Sequence, residues 1–256
     1  MSEEGKYIYC IVASSQERNF GPIGIGERGD EVMTISYENL SMVVSNHSVA
    51  RFVLKPRTVL AHEKVIEKIM QEYNSVLPVK FGTVARNADE IRDLLDRRYR
   101  EFMDLLNYFE NKIELNIKCE WKSMDDVFLK IGKEHQEIKM LKEKMQQNNC
   151  ESDTGKMVEL GKIVEQELMR RNEDTGDAIL SALKKTAVDY KVNKVSGEKI
   201  FLNAAFLVDS GREREFDNIV DDLNEEYGNA VNFIYAKPFP PYNFVDITIY
   251  PENWEI

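Results

Sequence analysis

The chain has 256 residues, of which 43% are hydrophobic, and a net charge of −11 from 34 basic and 45 acidic side chains. This apolar content is enough for a folded core and excludes disorder as the main state. The acidic balance disfavours nucleic-acid binding, and the sequence has no run of about 18 apolar residues that would predict a membrane-spanning helix. Three cysteines without CxxC spacing, Cys10, Cys119 and Cys150, are typical of a reduced cytoplasmic protein.

The charge is divided unevenly along the chain. Residues 1–122 carry 17 basic and 19 acidic side chains, a net of −2, whereas residues 123–256 carry 17 and 26, a net of −9. We therefore predict two domains, 1–122 and 123–256. The near-neutral half can pack against another surface at little electrostatic cost, and the acidic half suits solvent or a basic partner.

The first half alternates strand and helix patterns. Short β-branched or alternating runs predict strands, and apolar residues at helical spacing predict helices. The predicted strands are 6–13, 32–36, 40–45, 76–84 and 112–121, and the predicted helices are 57–73 and 88–109, the second opened by a capping box of Asn87 and Glu90. This order is typical of an α+β, ferredoxin-like domain with a mostly antiparallel sheet and helices on one face.

The second half predicts more helix. One helix begins after Ser123, and a long helical stretch over 156–192 is expected to kink or break near Gly176. Ser210 with Glu213 predicts another capping box, and Gly228 predicts the end of that helix. The predicted strands are 200–208, which reads as a central strand buried on both faces, 231–235 and 244–250.

The sequence contains few candidate catalytic or ligand-binding motifs. Gly24, Gly26 and Gly29 satisfy G-x-G-x-x-G, but no helix pattern follows them, which disfavours dinucleotide binding. His62 lies on an apolar helix face and predicts a packed or capping histidine, while a hydrolase or transferase that uses it with a nearby carboxylate remains an alternative. No histidine has metal-ligand spacing. We therefore predict no catalytic residue, no metal site and no cofactor.

The segment 237–245, with the sequence KPFPPYNFV, is unusually rich in proline and aromatic residues. A stiff apolar loop of this kind is cheap to order on binding. It can serve as a lid over the core of its own domain or as a partner-binding patch, since exposed aromatic patches often mark interfaces. The sequence leaves both interpretations open.

Five segments together resemble the gas vesicle protein F/L family, with the F branch favoured over the L branch. They are 7–9 (YIY), 60–65 (LAHEKV), 76–84 (VLPVKFGTV), 202–208 (LNAAFLV) and 238–245. They follow one another in a single order over nearly the whole chain. The sequence departs from the usual closing glycine-proline-tryptophan, because Lys237, Pro238 and Phe239 stand there.

The resemblance implies a fold and a function. It implies a ferredoxin-like first domain and a second, modified ferredoxin-like domain with additional helices. It implies a protein without enzymatic activity, cytoplasmic and associated with gas vesicles as a minor component. The implied partners are the small, very hydrophobic gas vesicle shell protein, bound during nucleation so that its aggregation is limited, and other gas vesicle accessory proteins. Neither nucleic acid nor membrane is an expected partner.

Our hypothesis is that the surface of this chain that binds shell protein lies on the first domain. The strand pattern at 76–84 is a candidate for strand addition, and the aromatic loop is a candidate apolar contact. The partner-binding residues under this hypothesis are Val76, Leu77, Pro78, Val79, Phe81, Phe239, Tyr242 and Phe244. The alternative is a ferredoxin-like small-molecule-binding regulatory protein, which predicts a deep pocket with convergent polar groups.

Overall fold

The structure is a computed structural model that describes residues 4–26, 29–48, 55–147, 154–247 and 249. These residues form strands and helices of an α+β protein. The strands are β1 (Glu4–Ala13), β2 (Asn19–Gly21), β3 (Val32–Tyr37), β4 (Leu40–Ser48), β5 (Val76–Pro78), β6 (Val84–Ala85), β7 (Lys112–Trp121), β8 (Asp189–Val192), β9 (Ile200–Asp209) and β10 (Val231–Phe239). The helices are α1 (Pro56–Met70), α2 (Ala88–Arg97), α3 (Tyr99–Phe109), α4 (Met124–Glu134), α5 (Gln136–Gln147), α6 (Thr154–Leu183) and α7 (Glu213–Tyr227).

The chain divides into two compact units whose boundaries differ from the predicted division at residue 122. Unit 1 comprises Met1–Glu114, Leu207–Gly211 and Lys237–Ile256, and unit 2 comprises Leu115–Phe206 and Arg212–Ala236. Unit 1 therefore takes segments from both the first and the last part of the sequence. The difference in net charge between the two halves of the sequence could not show that residues 207–211 and 237–256 belong to unit 1.

Unit 1 is built on an antiparallel sheet. Its strand order is β2-β3-β4-β1-β5, and β6 also pairs with β1. The longest antiparallel pairing of β1 is with β4, with Ile8 opposite Val44 and Ile11 opposite Met42. The prediction of a mostly antiparallel sheet in an α+β fold is confirmed.

Both faces of this sheet are covered by helices, which differs from the predicted arrangement with helices on one face. Ile8 and Ile11 of β1 belong to a buried cluster with residues of α2 and α3, whereas Tyr7 and Val12 belong to a second cluster with residues of α1. A β-bulge between Ile8 and Cys10 shifts the register of β1 against β4. The reason for the two-sided cover is that β1 is apolar on both faces, as strands buried on both sides are.

Local breaks divide several predicted elements of unit 1. The predicted strand 76–84 is two short strands separated by a turn in which Gly82 has a φ of +89°. The predicted helix 88–109 is interrupted at Arg98. Asn87 caps α2 as predicted, since its Oδ1 accepts a hydrogen bond from the Glu90 amide at 2.9 Å. The Glu90 carboxylate, however, accepts from the Arg86 amide instead of closing the reciprocal bond to Asn87.

Unit 2 combines most of a second sheet with helices α4 to α7. The strand order of this sheet is β10-β7-β9-β8, so β9 is an inner strand, as predicted. Helix α6 runs without a break through Gly176, which is buried against Phe201. The expected break is therefore wrong, because the small glycine serves helix packing instead. The last part of the predicted helix is strand β8.

The helix ends of unit 2 follow the sequence only in part. Ser123 caps α4, with its Oγ accepting from the Asp126 amide at 3.2 Å, but that helix ends at Glu134 and α5 follows. Ser210 lies in a 3₁₀ turn, and Arg212 is the N-cap of α7, so the predicted capping box is absent. Gly228 ends α7 as predicted. The described residues of 244–250 form no strand.

Two sequence-level expectations concern membranes and thiols. Within the described ranges no helix is long and apolar enough to cross a membrane.

Cys10 and Cys119 are free and buried, and burial raises the pKa of the Cys119 thiol to about 12, so these thiols remain protonated. Cys150 lies outside the described residues.

Candidate functional site

The strand proposed for partner binding, β5, lies at the end of the unit 1 sheet. All four side chains of Val76, Leu77, Pro78 and Val79 are buried. Leu77 and Val79 point into the cluster under α2 and α3, and Val76 points into the cluster under α1. These side chains therefore hold the strand in place, and a partner at this edge would meet the backbone of β5.

The backbone of β5 offers few outward hydrogen-bonding groups. The Val79 amide donates to the Tyr9 carbonyl at 3.0 Å, so alternation along the strand directs the Val76 amide outward. Pro78, at the next outward position, has no amide proton, and the Asn74 carbonyl already accepts from the Asn111 amide at 3.1 Å. A short edge that carries proline is protected against unspecific pairing. Val76 is therefore the outward position of β5 that still carries an amide proton.

A cleft of about 180 Å³ lies beside this stretch. Its lining includes Tyr73, Asn74, Val76, Ile113 and Pro241, so it joins the end of β5 to the C-terminal segment of the same unit. The volume is below that of ordinary small-molecule pockets. The lining mixes apolar residues with polar ones, and its apolar part can hold an apolar side chain; the polar residues are Asn74, Ser75, Asn111, Lys112 and Ser210. We call this surface, the outward edge of Val76 together with the cleft, the edge cleft.

The aromatic segment 237–245 covers the core of unit 1. Pro240 and Pro241 are buried, Tyr242 packs on the cluster under α1, and Phe244 packs on the cluster under α2 and α3. Phe239 ends β10 and is half-buried. Of the two interpretations that the sequence left open, this geometry corresponds to the lid. Six of the eight predicted site residues lie in or against these two clusters instead of forming one exposed patch: Val76, Leu77, Val79, Phe81, Tyr242 and Phe244.

A buried carboxylate holds this segment in place. Glu114 of β7 is 1% exposed. It accepts hydrogen bonds from the Asn243 amide at 2.8 Å and from Asn243 Nδ2 at 2.6 Å. Hydrogen bonds to a charged acceptor in a buried site are among the stronger ones in proteins. The lid is therefore fixed by a specific polar contact as well as by its apolar rings.

His62 is part of a closed aromatic cluster, as the packed-histidine prediction requires. Its ring is stacked on Tyr9 at 5.5 Å and packs edge-on against Phe81, and its Nδ1 lies 2.9 Å from the Tyr7 hydroxyl. The side chain is 2% exposed, and burial lowers its pKa to about 4, against a smaller opposing contribution from the Val79 backbone. His62 thus packs beneath the surface, and the catalytic alternative, which needs it to line a cleft, is not supported.

The remaining sequence motifs are structural in the described residues. Gly24 and Gly26 lie in a loop that the Gly24 amide closes by donating to the Asp30 carbonyl at 2.8 Å. No helix follows this loop, so it lacks the helix N-terminus that binds a pyrophosphate. The described ranges contain no group of three or more His, Cys, Asp or Glu residues that could hold a metal ion.

Unit 2 contains a larger cleft of about 300 Å³. Lys122, Lys130, Lys133 and Arg171 contribute to its lining. Two of these cations have protein partners, because Lys122 Nζ donates to the Gly228 carbonyl and Arg171 pairs with Glu134 and Glu167. This cleft is the place in unit 2 where the small-molecule alternative would apply.

Comparison with known proteins identifies the family. The family described as "Gas vesicle synthesis protein GvpL/GvpF" matches residues 5–246. The chain belongs to this family. Its relatives include gas vesicle protein F1 of Halobacterium salinarum, 24% identical over 98% of this chain and 97% of the relative, and gas vesicle protein F of Streptomyces, 26% identical over 94% and 99%. A member of the L branch, gas vesicle protein L1 of Halobacterium salinarum, is 23% identical over 94% and 90%.

Solved structures share the fold. The crystal structure of GvpF from Anabaena has a TM-score of 0.83 at 22% identity, covering 97% of this chain and 100% of that one. The crystal structure of GvpF from Microcystis aeruginosa has a TM-score of 0.76 at 21% identity, covering 95% and 99%. The predicted two-domain α+β fold is confirmed by this likeness.

In this GvpL/GvpF protein, four of the five segments that carry the family resemblance meet inside unit 1. They supply Tyr7 and Tyr9 of β1, His62 of α1, Phe81 of the β5–β6 turn and Tyr242 of the lid, which all lie in or against one cluster. The segments thus build the core and the lid. The edge cleft lies at the border of the same cluster, since Val76 belongs to both.

Proposed function

We propose that this chain is a non-enzymatic gas vesicle assembly protein that binds the hydrophobic shell protein during nucleation and limits its aggregation. The observation that carries the proposal is the family match over residues 5–246. Such a protein acts in the cytoplasm, where it associates with gas vesicles as they form and acts together with other gas vesicle accessory proteins. It needs an apolar docking place on an otherwise well-solvated molecule, and the net charge of −11 supplies the solvation.

We place the docking surface at the edge cleft. A shell-protein segment in extended conformation can pair with the outward backbone of Val76, while one of its apolar side chains enters the cleft between Tyr73 and Pro241. Strand addition of this kind takes affinity from main-chain hydrogen bonds and specificity from a side-chain pocket. The other predicted residues act indirectly, because Leu77, Val79 and Phe244 support the strand and the lid from within.

Filling the cleft is expected to prevent binding. The variant Asn74→Trp places a large ring on an exposed position of the cleft wall, and we expect about tenfold less shell protein to co-purify with it, since a blocked central pocket removes most of the energy of such an interface. The measurement is co-expression of the full chain with shell protein, followed by co-purification. The matched control is Asn107→Trp on the exposed side of α3, which should bind normally.

A second variant tests the contribution of the β5 backbone to binding separately from that of the cleft. Val76→Pro removes the outward amide of β5, which β1 does not use, and should also reduce binding. Full-length protein is used because a fragment of residues 1–122 lacks the 237–256 part of unit 1. If Asn74→Trp, Val76→Pro and the control all bind shell protein equally, the docking surface is not the edge cleft.

The small-molecule alternative rests on the unit 2 cleft, whose volume of about 300 Å³ is at the lower limit for ligand pockets. It predicts that a metabolite raises the Tm of the protein in a thermal-shift panel. The substitutions Lys130→Ala and Lys133→Ala should abolish that shift while leaving the Tm of the unliganded protein unchanged, because both side chains are exposed. A panel without any shift would remove this alternative.

A further inference from the structure

Strand β8 forms an exposed edge of unit 2. Among the described residues it ends the second sheet, and all four of its residues are exposed. Val188, Tyr190 and Val192 lie in or beside it with 46%, 39% and 55% of their surface accessible. Large apolar side chains in a row on an unpaired strand edge mark a place where another strand can add.

The outward backbone of β8 can be assigned from its hydrogen bonds. The Asn193 amide donates to the Asn203 carbonyl of β9 at 2.7 Å, so alternation directs the amides and carbonyls of residues 190 and 192 away from β9. In agreement, the Tyr190 amide donates to the Oδ1 of Asp189, on its own strand, at 2.8 Å. The Asp189 carboxylate thus accepts from the Tyr190 amide, which could otherwise donate to a neighbouring strand.

The sequence of this edge is complementary to itself. Val188, Asp189, Tyr190, Lys191 and Val192 read apolar, acidic, aromatic, basic and apolar. An antiparallel copy centred on Tyr190 places Tyr190 opposite Tyr190, Asp189 opposite Lys191 and, once the strand extends by one residue, Val188 opposite Val192. Opposite charges and aromatic pairs directly across a strand pair are stabilising.

We propose that β8 pairs with β8 of a second copy of this chain, forming a two-fold symmetric dimer with Tyr190 on the axis. The Tyr190 amide of each copy then donates to the Tyr190 carbonyl of the other copy across the axis. The Asp189 carboxylate, which accepts from the Tyr190 amide in the single chain, pairs instead with the partner's Lys191. Within each copy the Tyr190 ring lies 6.5 Å from the buried Phe206 ring and 4.0 Å from Lys184 Nζ, and these contacts hold it in place beside the axis. Such self-complementary contact is what a two-fold interface requires.

The charges select this register. Moving the copies to either adjacent register that keeps outward groups facing each other places Lys191 opposite Lys191 or Asp189 opposite Asp189, and like charges directly opposite are destabilising. The intermediate registers set outward groups against inward ones and lose the ladder. The inference is independent of shell-protein binding, because β8 lies in unit 2 and the edge cleft in unit 1.

A charge swap tests the proposal. Sedimentation of the full chain up to roughly millimolar concentration should show a monomer–dimer equilibrium. Asp189→Lys and Lys191→Asp, each alone, place like charges across both halves of the pair and should weaken the dimer at least about tenfold. The double variant Asp189→Lys/Lys191→Asp should restore it. Lys162→Asp, an exposed change on α6 of the same charge, should leave it intact.

Crosslinking tests the register. In a Cys150→Ser background, Tyr190→Cys should form an intermolecular disulfide, because the Cα atoms of a hydrogen-bonded pair are about 5.5 Å apart and within disulfide reach. Val192→Cys should crosslink far less, since it faces residue 188. A chain that stays monomeric throughout, single reversals without effect, or equal crosslinking at both positions would each overturn the proposal.

Discussion

Replacing Asn243 with alanine should lower the free energy of unfolding by about 2–3 kcal/mol. The change removes the Nδ2 hydrogen bond to Glu114, a carboxylate that is 1% exposed and cannot recover that bond from bulk water. The backbone amide of residue 243 would still donate to the carboxylate. The measurement is urea unfolding of the full chain followed by circular dichroism.

The control and the extension of this experiment lie in the same chain. Asn229→Ala, at an exposed turn of unit 2, should change the stability by less than about 0.5 kcal/mol. A chain ending at Ala236 should lose the cooperative unfolding of unit 1, because the clusters under α1 and under α2 and α3 then lose Tyr242, Phe244 and Ile247. Asn243→Ala with wild-type stability would show that apolar packing alone fixes the lid.

Acid should destabilise the protein through His62. Its pKa is about 4 in the folded chain against 6.5 for an ordinary histidine, because burial disfavours the charged ring. The unfolded chain therefore binds this proton first as the pH falls. The stabilisation is complete above pH 6.5 and is lost as the pH falls towards 4, by about 3 kcal/mol in total. Chemical unfolding at a series of pH values measures this loss.

A variant isolates the histidine from the carboxylates that titrate in the same range. His62→Gln is less stable than wild type at pH 7, since the Tyr7 hydroxyl loses its hydrogen bond to the imidazole and the Tyr9 ring loses its stacking on it. Its stability should nevertheless fall less steeply between pH 6.5 and 4. Parallel pH profiles for wild type and His62→Gln would contradict the assignment.

Elements fixed by local patterns were predictable from the sequence. β7 has the predicted bounds because apolar and polar residues alternate from Lys112 to Trp121. Both N-caps at Asn87 and Ser123 form because a short polar side chain meets an amide within the same turn. Periodicity could not predict that Gly176 packs inside a continuous helix, since its neighbour Phe201 is distant in sequence.

The candidate site was predictable only in outline. The sequence identified Val76 and the aromatic segment as candidates, but their apolar character cannot distinguish a docking surface from a core, and most of these side chains are buried. Glu114 was missed because an acidic residue in a strand pattern predicts solvent exposure. Its role depends on Asn243, which lies 129 positions away. Strand β8 was mistaken for helix because Val188 was assigned to the apolar helix face of Ile179 and Leu183, although residues 188–192 alternate apolar and polar side chains.

The return of the C-terminal segment to unit 1 has a consequence for biosynthesis. Residues after 236 leave the ribosome later than residues 7–109, yet they cover the core that residues 7–109 form. Unit 1 can therefore close only once residues 237–247 have emerged, whereas the residues of unit 2 have all emerged earlier. If the edge cleft, which includes Pro241, receives shell protein, a nascent chain that still lacks this segment is inactive.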